Sequence, residues 1–262
     1  MRSSTIALFD ANSHPTVGGG WPAKNLDSTF HRLSAELVKN HYRGACAVGV
    51  WGLERYAHQA FIERCRKHAN LVPIAGYFPR ASSSVGRELA TLKKMGFKGI
   101  KIHPREPAMS LKDPRLVKTF QVAARLELPI FLCTYFHSAV SGYPTQDPLF
   151  DIAALLRRAP RARVLLVHGG DVNLLRYAEM VRFNPNLLLD LSMTFMKYRS
   201  SSLDLDIRFL FEQFDRRICV GTDFPEYTHG EVRKRFIEMS KGISRTKLEN
   251  IAFRNIEGFL KP

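Results

Sequence analysis

Short runs of apolar, β-branched and aromatic residues recur eight times along the chain, and each run has the length of a β-strand. The segments between them place apolar residues at helical spacing and charged residues on the opposite face, as in SSVGRELATLKKMG and DPRLVKTFQVAARLE. Two more helical segments, GEVRKRFIEMSKG and SRTKLENIAFRNIEGFL, follow the last run. The eight runs are TIALFDANS, GACAVGVWG, LVPIAGYF, FKGIKIHP, LPIFLCTYF, RVLLVHGG, NLLLDLSM and RICVGTDF.

Strands and helices that alternate eight times predict an α/β protein of the (β/α)8 or TIM-barrel class. The length of 262 residues is close to the ~250 that such a barrel typically has. A doubly wound sheet also alternates strands and helices, but it usually carries a GxGxxG turn after its first strand. The triplet Gly18 to Gly20 lacks that spacing, so we expect a single TIM-barrel domain over residues 1–262.

Targeting segments and cysteines narrow the class of protein further. The N-terminus MRSSTIALFDAN becomes polar too soon for a secretory signal, and no apolar run approaches the roughly 18 residues of a membrane span. The four cysteines are far apart and form no CxxC pair, which argues against a disulfide framework or a zinc ribbon. We therefore expect a cytoplasmic protein that does not enter a membrane. The chain can act as a monomer or as a homo-oligomer.

In a TIM barrel the chemistry lies at the carboxyl ends of the strands, where the loops to the helices begin. Polar side chains at these ends are therefore the candidate site residues. Histidines and carboxylates that converge there can bind a divalent metal or act together as acid and base. The candidates are Asp10, Asn12, His14, Lys101, His103, Cys133, Thr134, His137, His168, Asp190, Ser192 and Asp223.

Four short motifs lie in order at these strand ends and resemble those of the amidohydrolase superfamily, in particular its decarboxylase-like and lactonase-like branch. DANSHP is similar to the opening D-x-H-x-H, GIKIHP to the strand-four G-x-K-x-H-P, LLVHGG to the strand-six H-x-G, and CVGTDFP to the strand-eight G-[ST]-D-[FY]-P. The final LENIAFRNIEGFL is similar to the closing helix of that branch. The resemblance covers nearly the whole chain and implies a TIM-barrel hydrolase or decarboxylase.

The resemblance implies roles for three matching residues. His14 matches the second histidine of the opening motif, and Asp223 matches the aspartate that binds metal and accepts a proton from the attacking water. His168 matches a histidine that binds metal or polarises the substrate carbonyl. Two positions depart from the family pattern, because Asn12 replaces the first histidine and Cys133 replaces the histidine of strand five.

A metal site is compatible with these two replacements. A cysteine thiolate is a good zinc ligand, and an asparagine oxygen binds harder ions. We therefore expect a divalent metal, zinc being the ion that the thiolate favours, on His14, Cys133, His168 and Asp223, with Asn12 as a weaker donor. The metal then activates water, Asp223 accepts its proton, and His168 polarises the carbonyl of a small carboxylated or cyclic ester or amide.

Two alternatives stay open. The family includes lactonases that hydrolyse without a metal, and by that resemblance Asp223 is the base while Lys101, His103 and His168 stabilise the oxyanion. In the second alternative the barrel has lost catalysis and is a binding or scaffold protein.

The chain carries a formal net charge of +15. Its basic clusters, RCRKHAN, LKKMGFKG, RRAPRAR and FDRRIC, all precede strands and so surround the face opposite the candidate site. A solvated surface is the simpler interpretation, and a docking face for nucleic acid or an acidic protein is the alternative. No stacking aromatic residues interleave the clusters, so nucleic acid is not the favoured partner.

Cationic side chains also occur in the loops that follow the strands. Together with aromatic neighbours, they predict a small anionic substrate that carries a carboxylate. Lys101 is instead expected to form a salt bridge with Asp10 or Asp190. The loop residues are Trp21, Lys24, Arg105, Lys197, Tyr198 and Arg199.

Overall fold

The computed structural model describes residues 6–21, 25–53, 55–81, 84–105, 109–137 and 146–261. Eight of the strands, β1 and β4 to β10, lie side by side in chain order, and every pair is parallel. The TIM barrel is thereby confirmed, and each predicted strand overlaps an observed one. The strands are β1 (Leu8–Ser13), β2 (Gly20–Trp21), β3 (Leu26–Asp27), β4 (Tyr42–Val48), β5 (Leu71–Gly76), β6 (Ile100–Ile102), β7 (Ile130–Cys133), β8 (Val164–Val167), β9 (Leu187–Asp190) and β10 (Ile218–Cys219).

Helices connect the barrel strands and surround them. None of the described helices is long and apolar enough to cross a membrane. A π-helical turn, Asn250–Arg254, joins the last two helices. The helices are α1 (Phe30–Lys39), α2 (His58–Cys65), α3 (Val85–Met95), α4 (Pro114–Arg125), α5 (Pro148–Arg158), α6 (Leu174–Arg182), α7 (Thr194–Lys197), α8 (Leu203–Gln213), α9 (His229–Met239), α10 (Arg245–Glu249) and α11 (Asn255–Phe259).

The first helix begins later than the sequence pattern predicts. The first residues of the segment LDSTFHRLSAELVKN form β3, which pairs with β2 in a short antiparallel hairpin. The side chain of Thr29 then accepts a hydrogen bond from Arg32 N and caps α1. The loop after β1 therefore contains a hairpin that carries Trp21.

Apolar side chains fill the inside of the barrel. Leu165 and Val167 of β8 belong to the inner cluster, as the alternation of side chains along a strand requires. Ile256, from the C-terminal segment, joins the same cluster. All four cysteines are free and buried, and Cys46 and Cys219 pack inside the barrel as small apolar residues. Because the interior is packed, a ligand has to bind at an end of the barrel.

The barrel closes between β1 and the residues that follow β10. Asp223 N donates a hydrogen bond to Asn12 O (2.9 Å), and His14 N donates to Phe224 O (2.8 Å). These bonds join the first strand to the last, so two candidate site residues on β1 lie directly beside Asp223.

The buried carboxylate of Asp10 reinforces this seam. Its oxygens accept hydrogen bonds from the backbone N–H groups of Asn12 (3.1 Å) and Thr222 (2.9 Å), and from the hydroxyls of Ser13 and Thr222. His229 Nε2, at the start of α9, lies 2.9 Å from the same carboxylate, and neither side chain is exposed to solvent. One carboxylate therefore holds β1, the end of β10 and α9 together.

The basic clusters before the strands contact helix ends. Helices of a TIM barrel run antiparallel to the strands, so their C-termini, which carry partial negative charge, lie at the end opposite the candidate site. Arg66 donates to Met95 O (2.5 Å), the last residue of α3, and Lys93 donates to Leu126 O (2.7 Å), which follows α4. Part of the positive charge on this face therefore stabilises the helices themselves.

Replacing Asp10 by alanine leaves several buried donors and one buried histidine without their acceptor. Each buried donor left without a partner costs roughly 1–3 kcal/mol, so we expect the melting temperature to fall by about 10 °C. Asp151→Ala is the matched control, because it removes a surface ion pair with Lys112 (3.5 Å) that is worth about 1 kcal/mol at most. Thermal and urea unfolding measure both variants, and equal stabilities would contradict this role of Asp10.

Candidate active site

The candidate residues of the strand ends come together at one end of the barrel. Most are buried, and His103 is half-buried. Polar groups at this depth need partners, because an unpaired buried polar group is costly. The residues are Asn12 on β1 and His14 just after it, Lys101 on β6 and His103 just after it, Cys133 on β7, His168 after β8, Asp190 on β9 and Ser192 shortly after it, and Asp223 after β10.

The carboxylate of Asp223 is the centre of one half of the site. Asn12 Nδ2 donates to Asp223 Oδ1 (2.8 Å) and also to Ser192 Oγ (3.3 Å). His14 Nε2 lies 3.3 Å from the same Asp223 oxygen. Because a carboxylate only accepts, Asn12 has to turn its NH2 group toward Asp223. Its buried Oδ1 then has no donor among the described residues.

His14 is held on both sides of its ring. Its Nδ1 lies 3.0 Å from Val48 O. Since a carbonyl only accepts, Nδ1 carries a proton and Nε2 is the atom that faces Asp223. The Trp21 ring stacks on the imidazole at 5.7 Å, and Trp21 Nε1 donates to Glu226 Oε1 (2.8 Å). The β2–β3 hairpin thus covers this side of the site.

Charge keeps Asp223 ionised despite its burial. Burial raises the pKa of Asp223, but the positive charges of His168, His14 and Lys101 and a hydrogen bond from His14 outweigh it and bring the pKa well below the usual range. Asp223 is therefore a carboxylate at neutral pH, which is the form that accepts a proton.

His168 lies in a turn of left-handed backbone. His168, Gly169 and Gly170 have φ values of 69°, 60° and 78°. A Cβ on Gly170 would lie 2.1 Å from the Tyr177 ring, so only glycine fits there. The strain falls on His168, because glycine adopts positive φ freely, and a turn with a strained non-glycine residue is typical of functional sites. The turn aims His168 Nδ1 at Ser192 O (3.1 Å), which requires a proton on Nδ1.

The electrostatic surroundings favour the charged form of His168. Burial lowers the pKa of His168, but the negative charges of Asp223 and Cys133 more than compensate and raise it above its ordinary value. The raised pKa favours the cationic form of His168 beside the ionised Asp223, and this form is suited to polarise a carbonyl.

Cys133 contacts imidazoles on two sides. It is hydrogen-bonded to His103 and His168. Burial raises the pKa of the Cys133 thiol, but the charges and hydrogen bonds of the two histidines outweigh burial and lower it well below its ordinary value. His103 Nδ1 is buried and bonds to no described residue. The second half of the site is therefore a cysteine whose thiolate form is favoured by two neighbouring histidines.

The expected salt bridge of Lys101 to Asp10 or Asp190 does not form. His229 pairs with Asp10, and Ser192 N donates to Asp190 Oδ1 (3.0 Å). Burial also raises the pKa of Asp190 to about 6, against the hydrogen bonds from Ser192. Ser192 N and Ser192 Oγ occupy the two Asp190 oxygens, which agrees with the missing bridge.

Lys101 instead places a buried amino group in the middle of the site. Its side chain is 2% exposed, and Nζ has no hydrogen-bond partner in the part of the chain that the structure describes. Burial lowers the pKa of Lys101, whereas the negative charges of Cys133, Asp223 and Asp190 act in the opposite direction. An unpaired donor at this position is available to a substrate oxygen.

The side chains predicted as metal ligands do not fit a divalent ion in this arrangement. Over the described ranges, no three His, Cys, Asp or Glu side chains are placed to hold a metal. His14 and Asp223 are close, but Asn12 donates to Asp223 instead of presenting an oxygen. Cys133 and His168 bond to each other in the other half of the site. The donor geometry therefore does not match the predicted metal site.

A second charged cluster lies beside His168. Lys197 Nζ is 3.6 Å from Asp171 Oδ1, 3.3 Å from Tyr135 Oη and 4.5 Å from the centre of the Tyr135 ring. His137 Nε2 is 3.6 Å from Asp171 Oδ2. The guanidinium of Arg105 lies 4.8 Å above the Tyr135 ring. The predicted loop cations Arg105 and Lys197 therefore share one aromatic side chain.

The other predicted loop residues lie in different surroundings. Tyr198 lies 4.8 Å from Lys197 Nζ, whereas Arg199 pairs with Glu238 (3.0 Å). Lys24 lies outside the described residues. The sequence reasoning missed Asp171, although it directly follows the His-Gly-Gly motif.

Comparison with solved structures supports the fold. A search of curated protein sequences found no match to the chain. An uncharacterized TIM-barrel protein from Bordetella bronchiseptica is 15% identical, with a TM-score of 0.76 over 97% of this chain and 98% of that one. A protein from Pseudomonas putida assigned as a 2-pyrone-4,6-dicarboxylic acid hydrolase is 12% identical, with a TM-score of 0.70 over 97% of each chain.

An enzyme with a bound metal is similar as well. A variant of 5-carboxyvanillate decarboxylase from Novosphingobium aromaticivorans, with bound manganese and 3-methoxy-4-hydroxy-5-nitrobenzoic acid, is 13% identical, with a TM-score of 0.70 over 99% of this chain and 98% of that one. At such identities the likeness concerns the fold. A family model for the amidohydrolases, however, matches residues 22–242, so this chain belongs to the amidohydrolase family of enzymes.

Proposed function

We propose that this enzyme is a hydrolase that cleaves a small carboxylated ester or lactone without a metal ion. The observation that carries the proposal is the Asn12 side chain, which donates to Asp223 Oδ1 where the family places a metal-binding histidine. Asn12 thereby fixes the carboxylate from one side. Asp223 Oδ2, to which no described side chain donates, is left to accept the proton of an attacking water.

The cations of the site supply the electrophilic part of the reaction. When water attacks a carbonyl, negative charge develops on the carbonyl oxygen, and fixed donors in a dry site stabilise it. Lys101 Nζ is buried and unpaired among the described residues, and His168 is held in its charged form by Asp223 and Cys133. His103, which bonds Cys133, completes this side. We assign oxyanion stabilisation to these three residues.

The charged cluster around Tyr135 supports an anionic substrate. Lys197 and Arg105 both lie against Tyr135, within one aromatic ring of His168. A carboxylate binds well to such paired cations. Two similar proteins carry names that refer to carboxylated compounds, a pyrone dicarboxylic acid and 5-carboxyvanillate. The substrate class we propose is a carboxylated lactone or ester of that size.

A metal-dependent hydrolase or decarboxylase is the second candidate. Bound manganese in a similar decarboxylase favours it. His14 and Asp223, 3.3 Å apart, would be the first donors, and a Cys133 thiolate would favour zinc over harder ions. A metal would supply Lewis-acid activation of water at this place.

Replacing the proposed base tests the reaction. Asp223→Asn removes the proton acceptor, so turnover should fall about 10²–10⁴-fold. The assay is proton release from a panel of carboxylated lactones that includes 2-pyrone-4,6-dicarboxylic acid. Asp151→Asn, a surface carboxylate, is the control and should keep the wild-type rate. Unchanged turnover in Asp223→Asn would remove Asp223 from the mechanism.

Metal content separates the two candidates. Elemental analysis of protein purified without chelator should give well below one metal ion per chain for the wild type. The double variant Asn12→His and Cys133→His restores both family histidines, so it should gain about one zinc or manganese per chain. A wild-type protein with one metal ion, lost in His14→Ala, would establish the metal-dependent candidate instead.

The titration of His168 tests the charge arrangement without a substrate. Its pKa in the folded protein is raised, so the stabilisation by the charged ring is present below about pH 6.5 and is lost as pH rises through the folded pKa. Removing the negative charge in Asp223→Asn should lower that pKa. NMR of the imidazole nitrogens measures it, and His31, an exposed histidine on α1, should not respond. An identical His168 titration in both proteins would contradict the pairing.

A further inference from the structure

Large apolar side chains on the surface are concentrated in one region. The described residues include seven such exposed side chains, and one of them, Val38, belongs to α1. The other six lie on or directly beside the neighbouring helices α5, α6 and α8. They are Phe150, Val172, Leu175, Phe183, Leu205 and Phe209.

These three helices form a continuous surface. Arg176 of α6 pairs with Asp147, which caps α5, at 2.6 Å. At the other end of α6, Arg182 lies 4.2 Å from the ring of Phe214, which follows α8. The outward sides of the three helices, together with the six apolar side chains, are called the α5–α6–α8 face below.

Helix α8 is apolar on both of its sides. Its inward side buries Ile207, Leu210 and Phe211 in the core. Leu205 and Phe209, four residues apart, form a stripe on the opposite side and are 76% and 43% exposed. A helix in the outer ring of a barrel normally presents polar residues to water. On α8 the stripe of Leu205 and Phe209 instead interrupts the charged residues and exposes apolar surface.

Charge decides which partner fits. The chain as a whole has a net charge of +15, so two copies repel each other over most orientations. Helices α5, α6 and α8 are neutral, because they contain five acidic and five basic side chains. These are Asp151, Glu179, Asp204, Asp206 and Glu212, against Arg157, Arg158, Arg176, Arg182 and Arg208. A neutral apolar face suits a second copy of this chain better than a nucleic acid or an acidic protein.

The size of the face is sufficient for a dimer. Its helices have 11, 9 and 11 residues, so they are roughly 14–17 Å long. Three helices about 10 Å apart cover a width of about 30 Å. The projected area is about 400–500 Å² per copy, and the relief of the side chains brings the accessible area closer to the roughly 800 Å² that each partner contributes to a standard interface.

We propose that two copies of this chain associate through the α5–α6–α8 face, with α6 near a two-fold axis. Helix α6 lies between α5 and α8, so a two-fold axis there buries the patch of one copy against the same patch of the other. The candidate active site opens at the end of the barrel and not on this outer side, so both sites stay accessible in the dimer.

Mass measurements over a range of concentrations test the proposal. The wild type should give twice the chain mass of 29.8 kDa by light scattering after size exclusion. The double variant Phe150→Lys and Leu205→Lys places like charges across the interface, so the dimer dissociation constant should rise at least ~100-fold. Both positions are well exposed, so circular dichroism should show the wild-type fold. Val38→Lys is the control, because it exchanges an exposed apolar residue of α1 and should remain dimeric.

Three results would overturn the proposal. A wild type that stays monomeric at about 100 µM leaves the face to a different partner. A double variant that dimerises as tightly as the wild type places the interface elsewhere. Dissociation of the Val38→Lys control to the same extent attributes the effect to added charge and not to this face.

Discussion

The buried carboxylate of Asp10 is the interaction on which the rest of the site depends. A closed barrel needs its first and last strands in one register, and here few backbone hydrogen bonds fix it. Asp10 accepts from Asn12 and Thr222 and pairs with His229, so it sets the position of both sides of the seam. Asn12 and Asp223 face each other because of it. A residue that touches no substrate therefore determines the geometry of the proposed base.

Charge balance links the two departures from the family pattern. A dry barrel end cannot keep anions without compensating cations. Here His168 and Lys101 hold down the pKa of Asp223, while Asp223 and Cys133 raise the pKa of His168. Asn12 adds a neutral donor where a ligand would be, and Cys133 adds an ionisable group beside two imidazoles. Both replacements therefore interact with residues of the site itself.

The sequence predicts the fold because apolar residues repeat about every two residues in strands and every 3.6 residues in helices, and the segments of this chain show one pattern or the other. The rule that chemistry lies at strand ends then brings Asp223, His168 and Cys133 to one place. What each side chain bonds to was harder to predict. The pairing of Asp10 with His229 joins residues that are far apart in the chain, so no local sequence pattern predicts it.

The partners of Asn12 and Lys101 were likewise not predictable from local sequence patterns. Asn12 was expected as a weak acceptor for a metal, but its amide has both a donor and an acceptor end, and only the neighbouring carboxylate decides between them. The salt bridge of Lys101 depended on Asp190 having free oxygens, and Ser192 occupies them. Such outcomes depend on three-dimensional surroundings that a sequence pattern does not contain.

Side chains that donate to helix ends connect neighbouring helices at the end of the barrel opposite the candidate site. Arg66 connects α2 to the end of α3, Lys93 connects α3 to the end of α4, and Gln121 of α4 donates to Arg158 O at the end of α5. Four consecutive helices are thus joined to one another there. The candidate site, by contrast, lies among strand termini and loops, so we expect the motions that admit a substrate on that side of the barrel.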